Sequence, residues 1–271
     1  MSVLLQISDT HFGTEQAPVL AALQALVGKQ KPQLLVLSGD ITQRARRSQF
    51  RAARAYIDAL GIPHFLALPG NHDIPLLNIA ARALSPYGNY LREFGPSLDP
   101  ELDVEDVLVI GVNTTVPAWH KDGRIDPEDV ARVEARLREA KAAQLRIVVV
   151  HQPVHVPRLA EKKNLVVGRD AAVRAWSAAG ADLVLGGHIH LPFVRPLGER
   201  YPGLPRRIWG VQAGTATSNR IRADAPNSVN LIRYAPAKSP LECVVERWDC
   251  PLPRGAFELV ETHRLELDRG A

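Results

Sequence analysis

Residues 3–11 read Val-Leu-Leu-Gln-Ile-Ser-Asp-Thr-His, and residues 34–40 read Leu-Leu-Val-Leu-Ser-Gly-Asp. Residues 62–73 follow the same plan as Ile-Pro-His-Phe-Leu-Ala-Leu-Pro-Gly-Asn-His-Asp. Each is a short apolar run of strand length that ends on residues able to bind a metal. Between the first two runs, Pro18–Val27 has helical spacing. Between the second and third, Arg46–Leu60 places Phe50, Ala53, Ile57 and Leu60 on one helical face, and Gly61 is placed to end that helix. The order βαβαβ predicts parallel strands joined by right-handed crossovers.

Working outward, the alternation resumes after an interruption. Residues 74–100 carry four prolines (Pro75, Pro86, Pro96 and Pro100) among Leu76, Leu77, Tyr87, Tyr90 and Phe94. This segment reads as one or two short helices forming a rim or lid over the strand ends. Val107–Val112 is the next strand. Asp126-Pro127-Glu128-Asp129 then predicts a helix start with a side-chain cap, proline in the first turn and early acids. Arg146–Val150 leads into His151-Gln152-Pro153, and Asp182–Leu185 leads into Gly187-His188-Ile189-His190. Over 207–262, four strand-like runs are separated by turns with no crossover helix, which predicts antiparallel pairing. The whole chain, 1–271, is expected to form one domain.

Composition narrows the class of protein. Hydrophobic residues make up 46% and charged residues 23%, as in ordinary water-soluble domains, and the net charge is only +4. That mild excess suits an anionic substrate without marking a nucleic-acid binder, and no basic stripe interleaved with aromatics is present. No apolar run reaches the roughly 18 residues of a membrane span. The chain starts directly on its first strand, without a basic leader, so a cytoplasmic protein is expected. Two cysteines, Cys243 and Cys250, exclude a disulfide scaffold. Two reduced thiols are expected, with one bridge between them the alternative.

The chemistry lies in the five motifs. A lone Asp after a strand is ordinarily a cap or turn former, and a lone buried His a hydrogen-bonded core residue. Here five of the nine histidines fall on motif positions at strand ends. Carboxylate, amide oxygen and imidazole together suit a pair of close divalent ions, which neutralise a phosphoester and activate water. Phosphate-loop, dinucleotide-binding, HExxH and serine nucleophile-elbow patterns are missing.

The ordered set Asp9-x-His11, Gly39-Asp40, Gly70-Asn71-His72-Asp73, His151 and Gly187-His188-x-His190 resembles the calcineurin-like metallophosphoesterase superfamily from Val3 to about Ala213. Residues 113–123 and the Asp after His72 look most like its class III cyclic nucleotide phosphodiesterase branch. The resemblance implies a four-layer αββα sandwich, an α/β fold with two mixed sheets face to face. It implies that Asp9, His11 and His190 bind one metal, that Asp40 bridges, and that Asn71, His151 and His188 complete the second. His72 would act on the substrate, and Asp73 would orient His72. Manganese or iron is the implied pair, with zinc a frequent occupant. The implied reaction is hydrolysis of a small nucleotide-like phosphodiester, such as a 3′,5′-cyclic nucleotide, by a metal-bridging hydroxide. A pyrophosphatase or phosphodiesterase acting on a lipid- or nucleotide-linked substrate is the alternative, and a non-catalytic scaffold a distant third. One departure stands out: Gln43 occupies a position near which many relatives carry an acid. Among residues near the motifs, His155 and Arg44 are candidates for substrate contact. An open edge on the C-terminal strands predicts a homodimer.

Overall fold

A computed structural model describes residues 1–222, 225–236, 241–252 and 255–268. Strands β1 (Ser2–Ile7), β2 (Leu34–Ser38) and β3 (His64–Leu68) run parallel, with Leu4 opposite Leu34 and Leu34 opposite His64. Helices α1 (Ala17–Gln30) and α2 (Arg47–Ala59) make the two crossovers. On the other side of β1, strands β10 (Asn227–Tyr234), β11 (Glu242–Cys250) and β12 (Glu258–Glu266) continue the sheet antiparallel. The second sheet contains β4 (Glu101–Val104), β5 (Val107–Gly111), β6 (Leu145–Val149), β7 (Leu183–Gly186), β9 (Trp209–Gln212) and β8 (Phe193–Pro196), in that spatial order. Its outer helices are α5 (Pro127–Arg138) and α6 (Arg169–Ala179).

The period of two along each strand builds the four layers. On β1 and β2, Leu5, Ile7, Leu35 and Leu37 face a core shared with Val19, Leu23, Phe50 and Ile57 of the helices. Their neighbours Leu4, Leu34 and Val36 face the other sheet and meet Val109, Ile147, Val149, Leu183 and Leu185. The opposite face of the second sheet packs Leu108, Ile110 and Val148 on Val133, Leu137, Val173 and the fully buried Trp176. The result is the expected αββα sandwich.

Several local readings are corrected. Asp126 precedes α5 but makes no side-chain cap; its carboxylate pairs with the Arg124 guanidinium at 2.7 Å. Strands β4 and β8 carry no strong alternation because both are edge strands, each paired on one side only. Most consequentially, Trp209–Gln212 does not join the antiparallel group. It runs parallel to β7, with Leu183 opposite Trp209. An irregular excursion through β8 supplies the crossover, so no helix was needed. Cys243 and Cys250 are free, and they lie at the two ends of the single strand β11. Seven strand positions separate them by about 23 Å, and they face different cores, which rules out a bridge between them.

Residues 74–100 divide into two parts. Helix α4 (Gly88–Phe94) is a packing element: Tyr90 is buried, donates to the Ala67 carbonyl at 2.8 Å and stacks on Phe94. Helix α3 (Ile79–Leu84) buries no residue, and Leu77, Ile79 and Leu84 are 84%, 78% and 86% exposed. No helix among the described residues is long and apolar enough to cross a membrane.

Candidate metal centre

All five motifs lie just beyond the C-terminal ends of parallel strands. Asp9 and His11 follow β1, Asp40 follows β2, residues 71–73 form a 3-10 turn after β3, His151 follows β6, and His188 and His190 follow β7. Carboxyl ends of parallel strands are where open α/β sheets hold ligands. The two sheets present these ends side by side, so one cleft gathers residues 180 positions apart.

The backbone there is strained. Asp9, His11, Asp40, His188 and His190 have φ of 53°, 43°, 50°, 73° and 55°, the left-handed region that L-residues visit at a cost. Only two other non-glycine residues among those described do so, Lys31 and Ala45. Such strain persists because the surroundings over-determine it. The Asp9 N–H donates to the Gly39 carbonyl at 3.1 Å, and the His11 N–H to the Asp40 carbonyl at 3.0 Å. The His188 N–H donates to Asp9 Oδ2 at 3.0 Å, and the His72 N–H to Asp40 Oδ1 at 2.8 Å. Gly70 is required where its chain crosses Asp40: a Cβ would lie 2.8 Å from Asp40 Cα and closer still to its N.

Two constellations result, and Asp40 belongs to both. Asp9, His11, Asp40 and His190 offer ligand atoms all within 4.8 Å of one another, as do Asp40, His151 and His188. Within the first, His190 Nε2 lies 3.1 Å from Asp9 Oδ1 and 3.3 Å from His11 Nε2. Within the second, His151 Nε2 lies 3.3 Å from Asp40 Oδ1. Asn71 sits beside them in the turn that hands the His72 N–H to Asp40. Five buried polar atoms in this cluster, Asp9 Oδ1, His11 Nδ1, Asn71 Oδ1, His151 Nε2 and His188 Nδ1, lack a well-aligned hydrogen bond. Buried polar groups are nearly always satisfied, and orphans of this chemistry fit metal ions. The imidazoles are also oriented for it. His151 Nδ1 donates to the Ser38 carbonyl at 2.8 Å and His190 Nδ1 to the Arg220 carbonyl at 2.6 Å, which turns each Nε2 toward the cluster.

The charges are set by this crowding. Burial alone would raise both carboxyls, but facing imidazoles overcome it. His190 and His151 hold Asp9, and His151, His72 and His11 hold Asp40, below the usual carboxylate range. Burial drives His11 down to about 3 and His188 to about 4, so both are neutral imidazoles. His151 resists its burial because Asp40 and Asp9 push it up to about 9, so metal binding there must displace a proton.

Asp73 has a different job from the one its position suggested. It does not touch the His72 ring. Its Oδ2 accepts from the Ile41 N–H at 2.9 Å and the Gly70 N–H at 2.8 Å, and its Oδ1 from the Thr42 N–H and hydroxyl, both at 2.8 Å. It clamps the Asp40 loop to the Asn71 turn. Burial and the nearby Asp40 raise its carboxyl to about 7, against the pull of these donors. The His72 ring is instead held by the Gln43 carbonyl, 3.1 Å from Nδ1. His155 is not part of the cluster; it packs edge-on to Phe193 beside a small cavity behind the GGH turn. Arg44 lines a groove of about 330 Å³ with Arg46, Pro75, Leu76 and Leu77.

Sequence reading missed Arg220. The segment after β9 threads into the cleft: the Ala216 N–H donates to the Ser8 carbonyl at 2.9 Å, and the Asn219 N–H to the Thr14 carbonyl at 3.0 Å. It delivers the Arg220 guanidinium to within 3.1 Å of His72 Nε2 and of Gln43 Oε1. Its basic residues carry no motif, so only the direction of β9 could have revealed it.

The fold and paired metal-binding groups define a dinuclear-type phosphoesterase scaffold, and comparison with known proteins agrees. The calcineurin-like phosphoesterase family profile matches residues 2–192, and the chain belongs to that family. It is 28% identical over 172 residues to a glycerophosphodiester phosphodiesterase, GpdQ, of Enterobacter lignolyticus, an alignment spanning 56% of this chain and 57% of that relative. It is 26% identical over 209 residues to a protein of Synechococcus named "Probable cyclic nucleotide phosphodiesterase", spanning 72% and 76%. Both relatives are named phosphodiesterases, and the name of the second agrees with the branch that the motifs suggested. In structure it resembles a dimetal phosphatase from Danio rerio (TM-score 0.66, 12% identity, 98% and 99% coverage). It also resembles a purple acid phosphatase from yellow lupin (TM-score 0.72, 12% identity, 98% and 53% coverage).

Proposed function

We propose that this protein is a dimetal phosphodiesterase of small diesters. The observation that carries this reading is the pair of buried ligand groups sharing Asp40, with orphaned oxygen and nitrogen atoms turned inward. Asp9, His11 and His190 would hold one ion, Asn71, His151 and His188 the other, and Asp40 both. Manganese or iron suits this mixture of nitrogen and oxygen ligands, and zinc can occupy it. When bound, such a pair supplies charge neutralisation and an activated water.

The chain's own residues do the rest. Asp73 fixes the loops carrying Asp40 and Asn71. His72 Nδ1 donates to Gln43, which aims Nε2 into the cleft, where it contacts substrate and handles the proton of the leaving oxygen. The relatives' names support a 3′,5′-cyclic nucleotide or a glycerophosphodiester as substrate.

The test is a substrate panel on metal-stripped protein reloaded with manganese. It compares bis(p-nitrophenyl) phosphate, p-nitrophenyl phosphate, 3′,5′-cAMP and glycerophosphodiesters. Asp40→Asn should abolish diester turnover; a variant that still turns over would refute the assignment. A second reading rests on α3 and the groove beside it. Exposed Leu77, Ile79 and Leu84, with Arg44 and Arg46 on the groove wall, suit a diester or pyrophosphate with an apolar tail. Leu77→Ser combined with Ile79→Ser should then raise KM for a lipid-linked diester and leave the aryl diester unaffected; equal kinetics on both would dismiss it. We also propose a homodimer through the exposed edge of β12, which a monomeric mass by light scattering would refute.

A further inference from the structure

We infer that Arg220, seated on Gln43, binds a non-bridging oxygen of the scissile phosphate. The assignment rests on the dimetal reading above. The main chain of Arg220 is fixed by the site itself: its carbonyl accepts from His190 Nδ1 at 2.6 Å and from the Thr215 hydroxyl at 3.2 Å, and its N–H donates to Ser218 Oγ at 3.3 Å. From there the side chain crosses to His72, whose ring packs edge-on against His11 with centroids 4.8 Å apart. The guanidinium thus spans from one ligand of the first group to the residue placed over the substrate.

Its charge has no counterpart among the described residues. Nη1 donates to Gln43 Oε1 at 3.1 Å and faces His72 Nε2 at 3.1 Å, and neither partner is a carboxylate. Among the described residues no carboxylate pairs with it. Arg222, two positions on, shows the contrast: it pairs with Glu161 at 2.9 Å and donates to the Ile189 carbonyl at 3.1 Å. Gln43 occupies the position where an acid would have neutralised Arg220. An amide there holds the guanidinium in place and leaves its charge unspent. Every contact the guanidinium makes with the described residues uses Nη1, which leaves Nη2 and Nε to donate. Arg220, His188 and His190 also line one open groove of about 420 Å³. A half-buried, uncompensated guanidinium with two free donors beside a metal-binding cluster is suited to a phosphoryl group, which it meets with paired N–H bonds.

The test uses the manganese-loaded protein and inorganic phosphate, titrated by calorimetry, together with the manganese content of each variant. Arg220→Met should weaken phosphate binding by about 10- to 150-fold, the range of a lost hydrogen bond to a charged group, with manganese content unchanged. Arg220→Lys should fall between Met and the native residue, because it keeps the charge but loses the fork. Free guanidinium ion should restore part of the affinity of Arg220→Ala. Phosphate binding by Arg220→Met equal to that of the native protein would overturn the assignment. So would a loss that tracks missing manganese, since Arg220 would then only support His190. Asp40→Asn separates the two levels: if it keeps both manganese ions, the dimetal reading fails and this assignment with it. If it loses them while Arg220→Met behaves natively, only the Arg220 assignment fails.

Discussion

Replacing Gly39 with Ala should cost the protein its second metal before it costs the fold. Gly39 has φ +97°, and a Cβ built there lies 2.5 Å from His151 Cγ and 2.9 Å from His151 Cβ. Non-bonded carbons need about 3.5 Å, so the imidazole must retreat by about 1 Å. Metal–ligand distances tolerate only about 0.2 Å. The same movement breaks the His151–Ser38 hydrogen bond that exposes Nε2 to Asp40. The first group, Asp9, His11, Asp40 and His190, contains no atom in this clash. Forcing alanine into a left-handed conformation adds about 1–2 kcal/mol of destabilisation. Calorimetric titration of the metal-stripped variant with manganese should show one site near native affinity and the second weakened by on the order of 100-fold. Urea unfolding of the same apoprotein should show the modest stability loss. Two manganese ions bound with native affinity would refute the reasoning, because His151 would then not be a ligand or the turn would not be as tight as described.

Three further outcomes are expected. Tyr90→Phe removes a buried hydroxyl that donates to the Ala67 carbonyl; leaving that carbonyl unsatisfied should lower the unfolding free energy by about 1–3 kcal/mol, read by urea denaturation with activity intact. Burial above all, with Arg200 and Arg195 adding to it against Glu199, holds His155 below the usual imidazole pKa. The unfolded chain therefore takes up a proton near pH 6.5 that the native state refuses, so native stability should fall as pH drops through that value. His155→Gln should flatten that slope in denaturation series from pH about 7.5 to 5.5, and an unchanged slope would contradict it. Chelating the metal should leave Asp9 and Asp40 buried without their cations; thermal unfolding should shift down by an amount that grows with the manganese concentration originally present, about 2.7 kcal/mol at a hundredfold excess over Kd.

Much of the candidate site was legible because its motifs are local. Asp9, His11, Asp40, Asn71, His151, His188 and His190 each end an apolar run, and a strand end is visible in a window of ten residues. The helices α1 and α2 were legible through spacing, and the end of α2 through Gly61, which has positive φ. What could not be read were relations between distant residues. The two carboxylate oxygens of Asp73 bind the 41–42 loop, some thirty positions away, because β2 and β3 end side by side. Asp126 lost its capping role to Arg124, a choice between two nearby partners that no spacing rule decides.

The sequence by itself determined which residues stand at the strand ends and that the first three strands run parallel, since hydrophobic period and strand-end motifs act over a few residues. Tertiary structure alone decided that Cys243 and Cys250 face different cores, and that β9 runs parallel to β7. That last direction is what turns the end of β9 toward the cleft. Had the strand run the other way, Arg220 would lie at the far end of the sheet. Strand direction is set by which edge of the sheet is open and by the apolar surface that the pairing buries, and neither quantity exists until the chain has folded.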